Sequence, residues 1–423
     1  MKEIDQYDNT IIVLVSDNGA SPEGQQVGTW NEYKNFNGAA EQAEQEILHI
    51  DKLGTPATYN HYPIGWAQVG NTPLKWYKTF VHAGGVKDPF IISYPDRIKD
   101  AGGIRSQYHH AIDVVPTILE LAGINAPTVV KGVEQKAIEG VSLAYSFDNP
   151  SEASHRTTQY FEMIGNRAIY HEGWKAVTYH VPGTSFDDDK WELYHVDEDF
   201  SEIHDLAEAE PEKLQELIKI WWEQAEQYGV LPIDGRGLFG KFDAKSAPES
   251  VTYKYYPGPE GFHHYVTFNA KLSHSIEADF NRSSIEEEGT ILAHGGKFGG
   301  WALYVQNNRL VYHSNYIGEQ HYLVVSSEEL PTGSVTVRFD YDAKEQNGKL
   351  LINNRHVGTG AILKVAAIVG PGVFSIGKSA QTPVSDQYET PFVFSGELKE
   401  VRLTIPEYVR DPSVEAAIEL AAD

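Results

Sequence analysis

Hydrophobic and polar positions change rhythm three times along the chain. Ile11 to Val15 is an unbroken β-branched and leucine run, which predicts a parallel strand buried on both faces. It stops at Ser16-Asp17-Asn18-Gly19, where two oxygen-bearing side chains precede a glycine. Gly24 to Gly70 is rich in Gly, Asn, Gln and Tyr and holds one helical candidate, Gly38 to Gly54. The rest of that stretch reads as a long loop, a length often tied to function, here a lid facing substrate. A strand follows at Phe90 to Tyr94. Val115-Pro116-Thr117 then opens a helix whose apolar stripe is Ile118, Leu119 and Ala122, with Gly123 as its stop. Residues 1 to about 130 therefore alternate strand and helix, the pattern of an α/β domain.

From about 131 to 235 the pattern becomes aromatic and β-branched. YFEMIGNRAIYHEGWKAVTYH reads as strands with a His-Glu-Gly hairpin turn, and WELYHV as another strand. Pro211 to Tyr228 predicts an amphipathic helix with Leu214, Leu217, Ile218, Trp221, Ala225 and Tyr228 on one face. From 236 to 410 helical periodicity nearly vanishes. Short strand-like runs such as SIEADFN, WALYVQN, SVTVRFDY and GELKEVRLTI, and YVTFNAKLS before them, alternate with Gly, Asn, Asp and Pro turns, which indicates a β-sandwich. Residues 411 to 423 read as a short polar tail or frayed helix.

Composition narrows the function classes. Lys and Arg number 34 against 60 Asp and Glu, a net charge of -26, which argues against nucleic acid or an anionic membrane as partner. No apolar run is long enough for a transmembrane helix, and the polar start MKEIDQYDNT is unlike a signal peptide. With no cysteine, disulfides, thiolate metal sites and cysteine nucleophiles are excluded. Asp17 and Asn18 beyond a strand end are ordinary turn formers, but their oxygens also suit a hard cation such as Ca²⁺ or Mg²⁺.

Three blocks decide between those readings: SDNG, the Lys-x₅-Gly-Gly segment from Lys78 into Asp88-Pro89, and Asp-x-x-Pro-Thr-x₄-Ala-Gly from Asp113. In this order they resemble the second half of a formylglycine-dependent arylsulfatase, a family of the alkaline-phosphatase-like superfamily. The resemblance continues to VLPID near residue 234. It implies that Asp17 and Asn18 are metal ligands and that Lys78, by its position before the glycine pair, binds the sulfate group. Ala83 and Lys87 depart from the family's usual residues beside the site. His109 and His110 are expected to be structural or supporting, and His49 and His61 are given no role.

The implied architecture is α/β: residues 1–130 as the C-terminal part of the sulfatase domain, 131–235 as its small antiparallel sheet plus helix, and 236–410 as a laminin-G-like or concanavalin-like sandwich. The implied activity is hydrolysis of a small-molecule or glycan sulfate ester with Ca²⁺ or another divalent cation. The family's nucleophile, a formylglycine made from Cys or Ser in Cys/Ser-x-Pro/Ala-x-Arg, is expected in a preceding part of a longer reading frame, as are further ligands. Two alternatives stay open: a phosphonate or phosphodiester hydrolase of the same superfamily, and a non-catalytic protein whose sandwich binds carbohydrate. The chain alone is expected to be inactive, with strand Ile11 to Val15 short of neighbours and its apolar surface exposed.

Overall fold

The computed structural model describes residues 1–39, 42–234, 250–258, 270–367, 369 and 374–406. The tail 411–423 and the beginning of the YVTFNAKLS run, 265–269, lie outside the described residues. Two compact units emerge: Met1–Pro22 with Gly65–Gly237, and Glu23–Ile64 with Leu238–Asp423. Among the described residues no helix is long and apolar enough to cross a membrane.

In the first unit, strand β1 (Ile12–Val15) pairs with β2 (Phe90–Ser93) as a two-stranded sheet. The pairing is antiparallel, with Val15 opposite Phe90 and Ile12 opposite Ser93. This corrects the expectation of a parallel strand buried on both faces. Among the described residues β1 has one neighbour, Leu14 is 64% exposed, and Ile91 of β2 is 59% exposed. The helix Val114–Leu121 differs from expectation in a related way. Ile118 of its apolar stripe is exposed, while Thr117 is buried. Thr117 Oγ1 donates to the Asp113 carbonyl at 2.7 Å and accepts the Leu143 amide at 2.8 Å, which satisfies its polarity.

The rest of this unit follows the pattern closely. Strands β3 (Thr158–Met163), β4 (Asn166–His171), β5 (Trp174–Thr178) and β6 (Trp191–His195) form a four-stranded sheet in sequence order. Glu172 and Gly173, both at positive φ, make the expected hairpin between β4 and β5. Helix Pro211–Gln227 buries Leu217, Trp221 and Ala225, spaced four apart, against Ile169, Ala176 and Leu193. The Trp221 indole N–H donates to the Phe161 carbonyl at 3.0 Å, so the largest core side chain leaves no orphaned donor.

The second unit is a sandwich of a six-stranded and a seven-stranded sheet. In the first, His274–Arg282 lies between Gly333–Asp342 and Glu397–Ile405, antiparallel to both. Its alternate residues Ile276, Ala278 and Phe280 point into the core. In the second, Gly299–Gln306 sits between Gly289–Gly296 and Arg309–Tyr316. Here the burial is two-sided. Trp301, Leu303 and Val305 face the inter-sheet core, while Ala302 and Tyr304 pack with Val384 and Tyr388 on the other face.

Glu23–Ile64, expected as a loop of the catalytic domain, belongs to this second unit. It is also more structured than expected, with helices Glu32–Phe36 and Ala43–Glu46 followed by a 3₁₀ turn, Ile47–Lys52. Asn31 is fully buried; its Nδ2 donates to the carbonyls of Phe298 (3.1 Å) and Ile317 (2.7 Å), and its Oδ1 caps Tyr33 N–H. Tyr33, Phe298 and Ala367 form a small core with Trp30 and Phe36. Aromatic side chains within a polar segment are thus what anchor it.

Candidate functional site

Three pieces of the first unit meet beyond the Val15 end of the β1–β2 ladder: the turn Ser16–Ala20, the loop Lys75–Phe80, and the short helix Ala83–Val86. Lys78 N–H donates to the Ala20 carbonyl at 3.1 Å, and Gly19 N–H to the Gly85 carbonyl at 3.3 Å. Asn71 at the end of helix Ile64–Asn71 joins the pieces. Its Oδ1 accepts Ala20 N–H at 3.1 Å, and its Nδ2 donates to the carbonyls of Trp76 (2.9 Å) and Gly84 (2.7 Å). The glycines permit this approach. A Cβ on Gly19 would lie 1.7 Å from the Gly84 carbonyl oxygen, and one on Gly84 would lie 2.0 Å from that of Trp76.

The lysine loop carries backbone strain. Thr79 sits at φ 77, a region a β-branched residue rarely enters. Its carbonyl is held by Asn166 Nδ2 at 3.0 Å. Lys75, the other lysine of the segment, has its ammonium between Glu192 Oε2 (2.7 Å) and the Tyr194 hydroxyl (2.9 Å). His82 is buried beside the same carboxylate, its Nε2 3.3 Å from Glu192 Oε2. Burial alone would push Glu192 up, but hydrogen bonds from His82, Lys75 and Tyr194, with the His82 charge, hold its carboxyl at about 2. Lys75 is therefore a fastener of the loop to β6.

Asp17, Asn18 and Lys78 are thus carried by adjoining backbone segments. Asn18 Nδ2 donates to the Gly19 carbonyl at 3.1 Å, which leaves the amide oxygen as the end suited to a cation. Asp88 is the residue that sequence reasoning passed over. Burial first, and then the charge of Asp17, push its carboxyl up to about 6. The signal was available in Asp88-Pro89 just before Phe90: an antiparallel pairing of the two apolar runs sets that dipeptide beside the SDNG turn, and Ser16 N–H does donate to the Pro89 carbonyl at 3.3 Å. Asp17 and Asn18 carry oxygens of the kind a hard cation takes, and Ca²⁺ takes about six to eight of them. Among the described residues, no group of three or more His, Asp or Glu is arranged to hold a metal ion.

His109 and His110 precede the helix, and His110 shapes its start. His110 Nδ1 accepts Ile112 N–H at 3.4 Å, and Asp113 Oδ2 accepts His110 N–H at 2.9 Å. Asp113 is fully buried and ion-paired with Arg156. Burial pushes both histidines below their ordinary range. His110 belongs to this cap, and His109 lies edge-on to the Tyr145 ring at 6.1 Å.

The nucleophile motif needs one correction. Ser93-Tyr94-Pro95-Asp96-Arg97 does have the Ser-x-Pro-x-Arg spacing, although the motif was expected wholly outside this sequence. Its placement separates it from the site. Ser93 pairs with Ile12, whereas Phe90 pairs with Val15 at the Asp17 end. Three residues of strand, about 10 Å at a rise of about 3.3 Å each, lie between. Ser93 is at the wrong end of the ladder to act beside Asp17.

Comparison with known proteins gives the class that this α/β unit resembles. The family model described as sulfatase matches residues 1–124. That of the N-sulphoglucosamine sulphohydrolase C-terminal region matches residues 74–228. The chain belongs to the sulfatase family. It is 30% identical over 238 residues to an uncharacterized sulfatase of Schizosaccharomyces pombe, covering 55% of this chain and 40% of that protein. It is 30% identical over 145 residues to the arylsulfatase of Klebsiella aerogenes, covering 34% of this chain and 29% of that one. The chain thus spans 40% or less of these relatives' lengths. Among solved structures, the Ruminococcus gnavus IT-sialidase CBM40 bound to α2,6-sialyllactose aligns over 40% of this chain and 98% of its own, with TM-score 0.29 and 16% identity.

Proposed function

We propose that Asp17, Asn18 and Lys78 form part of an arylsulfatase-type site that takes a sulfate ester. The observation that carries this reading is the hydrogen bond from Lys78 N–H to the Ala20 carbonyl, which ties the lysine loop to the carboxylate turn. Asp17 and the Asn18 amide oxygen would hold a divalent cation, with Asp88 adding negative field beside them. A bound Ca²⁺ supplies Lewis-acid neutralisation of charge on sulfate oxygens. Lys78 contributes a compact ammonium, suited to a divalent oxyanion as a point charge. The rigid turn presents both charges from one frame, so the ester is oriented before any bond is broken.

Titration of the chain with CaCl₂ and with sodium sulfate, followed by backbone amide NMR, tests this. Ca²⁺ is expected to shift the Asn18 and Gly19 amides weakly, and Asp17→Ala to abolish that shift. Sulfate is expected to shift the Lys78 region, with Lys78→Ala abolishing it. The same chain is expected to turn over no aryl sulfate, because the serine with motif spacing is remote from Asp17. Shifts that ignore both substitutions would remove the proposal.

A further inference from the structure

We propose that Asn71 is the positioning residue of this site, setting the distance between its cation side and its oxyanion side. The inference rests on the sulfate-site reading for the meaning of the two sides, and on geometry for the rest. A carboxamide has one acceptor and two N–H donors. Asn71 engages both ends: Ala20 N–H on the oxygen, and the Trp76 and Gly84 carbonyls on the nitrogen. Ala20 continues the turn that carries Asp17 and Asn18. Trp76 lies two residues before Lys78, and Gly84 opens the glycine pair that packs on Gly19. One planar group therefore sets three backbone segments at hydrogen-bond lengths from a single point.

No other side chain fits all three demands. Aspartate keeps the acceptor but sets a charged oxygen against two carbonyls. Glutamine is longer by one methylene, about 1.5 Å of reach in a space where glycines are already required. Alanine leaves Ala20 N–H and both carbonyls without this partner. The strained Thr79 backbone, one residue beyond Lys78, fits the same picture, since a left-handed β-branched residue persists only where its surroundings over-determine it.

The test uses the full chain with Asn71→Ala and Asn71→Asp, read by amide hydrogen exchange and by titration with CaCl₂ and sodium sulfate. A lost hydrogen bond corresponds to about a tenfold change. In Asn71→Ala, exchange at Ala20 and Lys78 is expected to rise about tenfold, while Ile169 and Ala176 in the four-stranded sheet keep their rates. In Asn71→Asp, Ala20 is expected to stay protected. That variant should lose about tenfold in sulfate affinity and much less in Ca²⁺ affinity, a split that loosened packing would not produce. Wild-type rates at Ala20 and Lys78 in both variants would overturn the proposal. So would an even rise across the unit, which would make Asn71 a stability residue only. If wild type binds neither probe, the sulfate-site reading fails, and the exchange pattern still decides the role of Asn71.

Discussion

Two strand-forming apolar runs meet opposite fates. Ile11–Val15 and Trp301–Val305 both read as strands, the first as one buried on two faces. Leu303 is 0% exposed, whereas Leu14 is 64% exposed. The sandwich strand has a strand on either side, apolar residues across the inter-sheet core, and a Val384–Tyr388 cover on its outer face. Strand β1 has one partner, β2, which is itself half bare. Hydrophobicity states what a segment demands, and neighbours decide whether the demand is met.

The largest expected effect breaks this comparison directly. Leu303→Ala removes a fully buried side chain and should cost about 2–5 kcal/mol. Leu14→Ala removes a mostly hydrated one and should cost well under about 1 kcal/mol, since there is little apolar contact to lose. Amide hydrogen exchange in urea, read at Leu303 and at Ile169, can assign each loss to its unit. Equal costs would mean that β1 is covered in solution in a way the structure does not contain.

A smaller effect sharpens the boundary between the units. Asn31 lies in sequence between two pieces of the first unit, yet its amide is buried against the Phe298 and Ile317 carbonyls. Asn31→Ala strips the donor from two buried carbonyls, for about 1–3 kcal/mol. That loss should appear in the sandwich transition and leave the first unit's transition in place. A shift confined to the first unit would return Glu23–Ile64 to where the sequence pattern put it.

Legibility followed locality. The hairpin at Glu172-Gly173, the helix Pro211–Gln227 and the alternation of His274–Arg282 are written in period and turn chemistry, and they form as read. Strand direction is a non-local property, so β1 was read as parallel from composition alone. Glu23–Ile64 was misplaced because polar, tyrosine-rich composition matches a loop, while Trp30, Tyr33 and Phe36 find their partners more than two hundred residues away. At the candidate site, the residues that the sequence offered, Asp17, Asn18 and Lys78, all lie inside short motifs. Asp88 was not legible, because its proximity to Asp17 depends on the antiparallel register. Asn71 was not, because nothing in a lone asparagine announces that its amide will serve three segments.

The smallest expected effect concerns how each region is held. The sandwich rests on apolar burial, but the lysine loop rests on polar fasteners: Lys75 and His82 on Glu192, and Ala83 N–H on Glu202 at 2.8 Å. Glu192 has its carboxyl at about 2 in the folded chain, against 4.5 for the free group. A depressed carboxyl contributes stability that is fully present above about pH 4.5 and disappears as pH falls through about 2. Acid should therefore loosen the Lys75–Gly85 loop progressively across that window. Glu192→Gln should flatten this dependence and leave the loop looser at neutral pH, because the charge that held Lys75 and His82 is gone. Amide exchange at Gly84 and Gly85 between pH 5 and 3, corrected for intrinsic rates, reads the difference. If wild type and Glu192→Gln follow the same curve, the loop is held by its glycine packing and by Asn71, and the polar fasteners are incidental.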